Sequence, residues 1–395
     1  MGRPRQRGSG LIQETFLSMR IGIPAEIYPG ETRVAATPET VKKLAAGGRH
    51  SITVQAGAGR GAFIADADFQ SAGAVIAASA AELYASSDIV LKVRRPEASE
   101  LPLLRRGTVL VGLLSPHEGI DGLAQSGVNA FALELLPRIT RAQAMDALSS
   151  MATVAGYKAV LLGADRIPRM FPLLMTAAGT VPPARVLVLG AGVAGLQAIA
   201  TARRLGAVVE AYDVRAAAGE QVRSLGATFL EVDLGGIQTE DKGGYAVELS
   251  EEALKRGRDL VAEHAKAADV IITTAQVPGR RAPLLMDEAA VNGMKRGSIV
   301  IDLAGATRGN VTGTKPDETV ERDGITIMAP TNLPATVPVH ASQLYSRNVS
   351  SFLNLLIKDG ELHLDMNDDV VGPSCVTHEG KWMNQRVAAA MGAAA

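Results

Sequence analysis

Gly190, Gly192 and Gly195 have the spacing G-x-G-x-x-G and follow a short apolar run. An apolar, alanine-rich stretch of helical character comes next, and a second apolar run ends at Tyr212. This order of strand, turn, helix and strand is the context in which the motif binds the pyrophosphate of a dinucleotide. Gly190 would allow a sharp turn, Gly192 a close approach of phosphate, and Gly195 close packing of helix on strand. A glycine-rich turn that binds nothing is the alternative, and the flanking pattern favours dinucleotide binding.

An aspartate follows the second apolar run. At Asp213 a carboxylate can accept hydrogen bonds from the adenosine-ribose hydroxyls and repel a 2′-phosphate, which favours NAD(H) over NADP(H). Arg215 leaves NADP(H) open, since an arginine nearby accommodates that phosphate, and the motif alone does not exclude FAD. The predicted cofactor-binding residues of this segment are Gly190, Gly192, Val193, Ala194, Gly195, Asp213, Val214 and Arg215.

Strand-like and helical patterns alternate on both sides of this motif, which predicts parallel sheets with right-handed crossovers. We expect an α/β fold of two Rossmann-like doubly wound parallel-sheet domains with a cofactor cleft between them. A long helix at 139–162 should leave the first domain, and another at 339–356 should return to it. The predicted segments are an N-terminal extension or tag (1–18), a discontinuous first domain (19–145 plus 335–385), an NAD(H)-binding domain (146–334) and a flexible tail (386–395).

The composition limits the partners and the compartment. The chain has 395 residues, is 47% hydrophobic and carries a formal net charge of −1, which gives no electrostatic case for nucleic acid or an anionic membrane. Cys375 is the single cysteine, so a disulfide framework is excluded and a reducing compartment fits. No apolar run approaches the roughly 20 residues that span a bilayer. The residues from 359 onward are expected to form a short closing segment and a frayed tail.

A long gap without regular pattern lies at 233–250. Loops of this length tend to be functional or disordered. The gap contains Gly243, Gly244 and Tyr245, a flexible hinge with one aromatic side chain, so a lid over the nucleotide is favoured over an idle insertion.

Two further motifs are far more specific than the glycine triplet. The stretch 134–157 reads ELLPRITRAQAMDALSSMATVAGY, and 177–186 reads AAGTVPPARV. With the Gly-Gly-Tyr-Ala of the long loop, they resemble the NAD(H)-binding component of proton-translocating NAD(P) transhydrogenase (domain I, the alpha-1 subunit) over about residues 19–382. Alanine dehydrogenase is a relative of this family.

The resemblance implies a division of labour among subunits. A soluble NAD(H) component would work with a membrane-embedded domain that conducts protons and a separate NADP(H)-binding domain. Hydride would pass directly between the two nicotinamides while protons cross the membrane, which is translocase-class oxidoreductase chemistry. This chain would be a homodimer in the cytoplasm, peripheral to the inner membrane through its partners and without nucleic acid.

The resemblance also assigns roles within the 134–157 stretch. Arg138, Gln143 and Asp146, with Ser149, would be the catalytic residues that hold the nicotinamide carboxamide, its ribose and the face from which hydride leaves. Hydride exchange between nicotinamides creates no alkoxide or amine, so positioning and electrostatics suffice. An ordinary surface charge pair with a helix cap is the alternative. The implied cofactor contacts outside the glycine motif are Gln143, Ala144, Met145, Asp146, Gly243, Gly244 and Tyr245.

Alanine dehydrogenase is the nearest rival interpretation. Arg33 and Lys92 match its substrate-binding arginine and lysine, but both also fit the transhydrogenase pattern. Its histidine and aspartate positions fall at Ser115 and Ala306, so a complete amino acid dehydrogenase site is not expected.

The chain also departs from the transhydrogenase pattern, which has an acid and then Gly-Gly-Asn where this chain has Ala306 and Arg308-Gly309-Asn310. A diverged NAD(H)-binding protein without coupling is therefore a third hypothesis. The six histidines are scattered, which predicts no metal site. The motif G-x-S-x-G does not occur, so the sequence gives no reason to expect a hydrolase.

Overall fold

Short buried segments build two separate sheets. The computed structural model describes residues 19–116, 120–232, 250–276, 281–384 and 387–388. The N-terminal extension, the proposed lid residues Gly243, Gly244 and Tyr245, and most of the tail lie outside the described residues.

The strands are β1 (Met19–Ile23), β2 (His50–Gln55), β3 (Val75–Ala77), β4 (Ile89–Arg94), β5 (Val109–Leu113), β6 (Asn129–Ala132), β7 (Leu174–Thr176), β8 (Gly179–Val181), β9 (Arg185–Leu189), β10 (Val208–Tyr212), β11 (Thr228–Leu230), β12 (Val270–Thr273), β13 (Ile299–Asp302), β14 (Thr319–Arg322), β15 (Ile325–Met328), β16 (Ile357–Lys358), β17 (Glu361–Leu362), β18 (Cys375–His378) and β19 (Lys381–Trp382). The helices are α1 (Pro38–Ala45), α2 (Asp66–Ser71), α3 (Ala80–Ser86), α4 (Asp121–Ser126), α5 (Ala147–Arg166), α6 (Val193–Arg204), α7 (Ala218–Ser224), α8 (Glu251–Ala265), α9 (Glu288–Asn292), α10 (Pro338–Leu356) and α11 (Val371–Ser374).

Both sheets have the same parallel core. The first is ordered β19-β18-β6-β5-β4-β1-β2-β3 and the second β11-β10-β9-β12-β13-β15-β14. The six parallel strands lie in the order β3-β2-β1-β4-β5-β6 in the first sheet and β11-β10-β9-β12-β13-β15 in the second. Numbered along the chain within each sheet, this is the doubly wound order 3-2-1-4-5-6, which leaves a ligand crevice where the order reverses. That point lies between β1 and β4 in the first sheet and between β9 and β12 in the second. The central strands are buried on both faces, as parallel strands covered by helices must be.

The strands at the edges depart from the expected parallel arrangement. β18 runs antiparallel to β6, β19 antiparallel to β18, and β14 antiparallel to β15. The expectation that residues from 359 onward form only a closing segment and a frayed tail is therefore wrong for β18 and β19. These two strands extend the first sheet, and their short polar-rich sequences carry no periodicity that would have marked them.

Helix α5 begins later than the sequence pattern indicates. The predicted helix at 139–162 is wrong at its start, because Thr140–Met145 is a 3-10 helix and α5 starts at Ala147. Asp146 ends the tighter helix and caps α5, since its Oδ1 accepts the Ser149 amide at 2.8 Å. The predicted return helix is confirmed as α10.

One helix in the described part of the chain, α5, is long and apolar enough to cross a membrane by length and composition. This corrects the expectation that no such segment exists. Its Ala159, Val160 and Gly163 are nevertheless buried in the core of the second sheet, as in the core helix of a globular domain.

Candidate dinucleotide site

The three glycines of the motif have the backbone roles that their spacing predicts. Gly190 leaves β9 with a φ of +100°, a conformation that favours glycine. A Cβ on Gly195 would lie 1.8 Å from the Gly190 carbonyl oxygen, so only glycine permits this approach of α6 to β9. The Thr274 hydroxyl, at the end of β12, donates to the same carbonyl at 3.0 Å. The turn is therefore held from both sides.

The start of α6 provides the space and the donors that a pyrophosphate requires. Gly192 is the N-cap residue, and a Cβ there would meet nothing within 4 Å. The first-turn amides of a helix have no intrahelical acceptor and carry its positive dipole end. Since the space beside Gly192 is open and this turn lies at the sheet's reversal point, the residues fit a bound dinucleotide phosphate.

Asp213 follows β10 next to this turn and is engaged within the chain. Its Oδ2 accepts the Ala191 amide at 2.7 Å, which links the end of β10 to the glycine turn. The Arg215 guanidinium lies 2.8 Å from the same carboxylate. Asp213 is thus placed at the expected edge of the sheet, with its charge balanced by Arg215.

The predicted nicotinamide residues surround the start of α5. Asp146 and Ser149 are half-buried, and the Ser149 hydroxyl donates to Asp146 Oδ2 at 2.5 Å. Arg138 and Gln143 are exposed on the segment that leads into this cap. The structure therefore brings Asp146 and Ser149 into contact, and their role toward nicotinamide stays a prediction.

Helices α5 and α6 pack against each other, and one very close approach of their backbones lies at a glycine. A Cβ on Gly156 would lie 2.1 Å from the carbonyl oxygen of Ala194, in the first turn of α6. Gly156 follows the Asp146 cap by ten residues, about 15 Å along a helix. This contact fixes the start of α6 against the helix that carries Asp146 and Ser149.

The carboxyl ends of the two sheets meet beside these helices. Arg33, after β1, donates to Asn332 Oδ1, after β15, at 3.1 Å, and the Thr32 hydroxyl donates to the Ala335 carbonyl. Asn348 of α10 donates to the carbonyl of Ala144 at 2.9 Å. The loops after β1 and β15 therefore join the two sheets, and the segment that carries Gln143 and Ala144 is bonded to α10.

Comparisons with known proteins agree over nearly the whole chain. The N-terminal domain model of the alanine dehydrogenase/PNT family matches residues 22–155, and the C-terminal domain model matches residues 159–385. The chain belongs to the alanine dehydrogenase/PNT family. An NAD(P) transhydrogenase alpha subunit of Rhodospirillum rubrum is 47% identical over 373 residues, which are 92% of this chain and 97% of that protein.

Two further relatives place the chain within the family. The transhydrogenase structure from Sinorhizobium meliloti has a TM-score of 0.81 at 41% identity and covers 93% of this chain and 99% of its own. Alanine dehydrogenase of Mycobacterium tuberculosis is 33% identical over 384 residues, 95% of this chain and 97% of that one. The resemblance and the fold class are thereby confirmed, with alanine dehydrogenase the more distant relative. Membership of this oxidoreductase family implies that the chain binds NAD(H).

The two alanine dehydrogenase positions that this chain lacks lie at strand ends. Ser115 follows β5 with a φ of +48°, and its amide donates to the buried Glu134 carboxylate at 2.7 Å. Ala306 is exposed in a 3-10 turn after β13. Neither side chain supplies a general acid or base. Arg308, in the family's glycine position, adopts the left-handed conformation with a φ of +74°.

Sequence reasoning missed a polar cluster that fixes the loops after β12 and β13. Asp302 is fully buried and accepts hydrogen bonds from Thr273, Thr314 and the backbone. Asn310 bonds to Ala275 through both of its side-chain polar atoms. The sequence could have indicated this cluster, because polar residues at the ends of adjacent parallel strands meet at one edge of a sheet.

The family's lysine position belongs to a second buried cluster, at the reversal point of the first sheet. Lys92 is fully buried and donates to Glu100 at 2.7 Å, with Glu26 3.3 Å away. Glu26 accepts the Val93 amide through Oε1, while its buried Oε2 has no hydrogen-bond donor among the described residues. Burial raises the pKa of Glu26 to about 7, and Lys92 only partly opposes this shift.

Proposed function

We propose that this chain is the NAD(H)-binding component of a proton-translocating NAD(P) transhydrogenase. Hydride would pass between the nicotinamide held here and an NADP(H) nicotinamide held on a partner subunit. Proton translocation would belong to a further, membrane-embedded subunit. The chain would then be cytoplasmic and peripheral to the inner membrane through these partners.

The observation that carries the proposal is the absence of an acid or base at Ser115 and Ala306. Oxidation of an amino acid needs proton transfer at the substrate nitrogen and at the water that hydrolyses the imine, whereas hydride exchange between two nicotinamides needs none. An exposed methyl at Ala306 and a serine whose backbone is bound to Glu134 fit the second reaction. The higher identity to the transhydrogenase subunits supports the same choice.

In this proposal the residues of the site position a nicotinamide and do not take part in proton transfer. Bound NADH supplies the hydride. The first turn of α6 would hold the pyrophosphate, while Asp146 and Ser149 would hold the nicotinamide ribose. Arg138 and Gln143 would orient the carboxamide and so the face of the ring. Their task is to hold the reacting carbon in a near-attack geometry, which accounts for large rate factors without any charge-relay group.

Paired activity assays test this function. We expect the purified protein to transfer hydride from NADH to a thio- or acetylpyridine NADP⁺ analogue once a transhydrogenase NADP(H)-binding component is added. We expect no NAD⁺-dependent oxidation of L-alanine by the protein alone. Alanine turnover would mean that the histidine and aspartate functions come from elsewhere in the chain. Tight NADH binding with neither activity would favour a diverged binding protein.

We further propose that the protein is a homodimer that uses the β7–β8 hairpin. Every residue of β7 and β8 is exposed, and Met175 is 74% exposed. Leu173 and Met170 add exposed apolar surface beside it. An isolated two-stranded hairpin is marginal in water, and contiguous apolar patches mark interfaces. A second copy is the partner that is always present at matching concentration.

The substitution Met175→Asp should convert this dimer into a monomer, because it places a charge in the centre of the proposed apolar contact. Sedimentation equilibrium of wild type and variant measures the change. Phe63→Asp is the matched control, since Phe63 is 84% exposed but lies between β2 and β3 of the first sheet. An unchanged dimer in Met175→Asp would remove the hairpin from the interface.

The domain boundaries given above, 19–145 plus 335–385 and 146–334, remain part of this proposal. The strands of the first sheet all lie within 19–145 and 335–385, and those of the second sheet all lie within 146–334. Helices α5 and α10 connect the two sheets.

A further inference from the structure

The Asp213 carboxylate has its acceptor positions filled from within the chain. Oδ1 accepts the Arg215 amide at 2.8 Å and Arg215 Nε at 2.9 Å. Oδ2 accepts the Ala191 amide at 2.7 Å and Arg215 Nη2 at 2.8 Å. An ionised carboxylate offers about four lone-pair positions. The two hydroxyls of an adenosine ribose therefore find no acceptor here until a donor leaves.

The guanidinium is the donor that can leave. The Ala191 amide is fixed by the glycine turn, and the Arg215 amide is held by its short sequence separation from Asp213. The Arg215 side chain, in contrast, is a flexible stem that is 21% exposed, while Asp213 is 7% exposed. Its Nε and Nη2 form a planar fork with two parallel N–H bonds. A ribose with adjacent 2′- and 3′-hydroxyls presents a comparable pair of donors.

We propose that Arg215 is a specificity-determining residue of the dinucleotide site, whose guanidinium competes with the adenosine ribose for Asp213. This role rests on the proposed NAD(H) site and determines how strongly that site prefers NADH over NADPH. Binding of NADH exchanges two guanidinium N–H donors for two ribose hydroxyls. The displaced guanidinium then lies beside the 2′ position, where it attracts a 2′-phosphate.

Both consequences narrow the discrimination between the two dinucleotides. The competition weakens NADH binding, because a charge-assisted pair must first be broken. The released cation strengthens NADPH binding relative to a site with Asp213 alone. Without Arg215, the uncompensated carboxylate would bind the ribose directly and repel a 2′-phosphate.

The test is a titration of wild type and Arg215→Met with NADH, NADPH, ADP-ribose and 2′-phospho-ADP-ribose. Methionine keeps an unbranched stem and removes every donor of the guanidinium. We expect the Kd for NADH and ADP-ribose to fall by about two- to fivefold, the scale of one partly exposed ion pair. The Kd for NADPH and for 2′-phospho-ADP-ribose, the two ligands with a 2′-phosphate, should rise. Arg215→Lys, which keeps the charge without the planar fork, should lie between these two proteins.

Arg223→Met is the matched control, because Arg223 pairs with Glu231 eight residues further along the chain. It should leave all four dissociation constants unchanged. An unchanged or weaker NADH affinity in Arg215→Met overturns the proposal, and so does an unchanged preference between ADP-ribose and its 2′-phosphate. A wild-type protein that binds neither dinucleotide contradicts the proposed function instead.

Discussion

Replacing Gly156 by alanine is expected to slow hydride transfer from bound NADH by about a hundredfold, while ADP binding stays close to that of wild type. The added Cβ would lie 2.1 Å from the Ala194 carbonyl oxygen, which is backbone and cannot rotate away. Helix α6 is itself locked to β9, because Gly195 lies against the Gly190 carbonyl. The clash is therefore relieved by movement of α5, which carries Asp146 and Ser149.

A displacement of about 1 Å is sufficient for this effect, since misplacement of the reacting groups on that scale slows the reaction by about two orders of magnitude. ADP probes only the part of the site on α6 and β10, so it separates a shift of α5 from general damage. Gly163→Ala is the control, because it makes the same change on the same helix but meets only the Val270 side chain at under 3.0 Å. A loss of ADP affinity in Gly156→Ala as large as the loss of hydride-transfer rate would contradict a shift of α5.

The second large effect concerns pH and the buried cluster around Lys92. Since burial raises the pKa of Glu26 to about 7 from its ordinary value of 4.5, the folded state holds a proton that the unfolded state releases at lower pH. The resulting stability is fully present below pH 4.5 and is lost as the pH rises through 7. The loss is on the order of 3 kcal/mol in the free energy of unfolding.

Glu26→Gln should abolish most of this pH dependence, because the amide does not titrate. Urea denaturation of wild type and variant at half-unit steps from pH 5 to pH 8 measures it. Glu39→Gln is the control: Glu39 is exposed, and Lys43 and Arg347 lower its pKa to about 2, so it is ionised throughout this range. If Glu26→Gln retains the slope of wild type, Glu26 is not the group that titrates.

The sequence was sufficient to predict the features that depend on local pattern. Alternating strand and helix signals indicated two doubly wound sheets, and the spacing of Gly190, Gly192 and Gly195 predicted a turn that the structure contains. The start of α5 was misplaced because an aspartate inside an apolar pattern looks the same whether it lies in a helix or caps one. Only the contact of Asp146 with Ser149 distinguishes the two cases.

Features that depend on residues far apart in sequence were not accessible. Gly156 could be read only as a weak point in a helix, since its contact with Ala194 comes from the crossing of two helices. The pairing of β18 with β6 joins Cys375 to Phe131 and has no local signal. The same holds for Arg215, whose proximity to Asp213 was evident but whose occupation of the carboxylate was not.

The late completion of the first sheet bears on how the chain folds during synthesis. All strands of the second sheet lie between residues 185 and 328, so that sheet can close as soon as its own segment has been made. The first sheet presents β6 as an open edge until β18 is available, more than 240 residues later. Contacts of such separation form slowly because a long loop must be closed first. Until then β6 is paired only with β5, and its open edge is a segment of the nascent chain that needs protection from edge-to-edge aggregation.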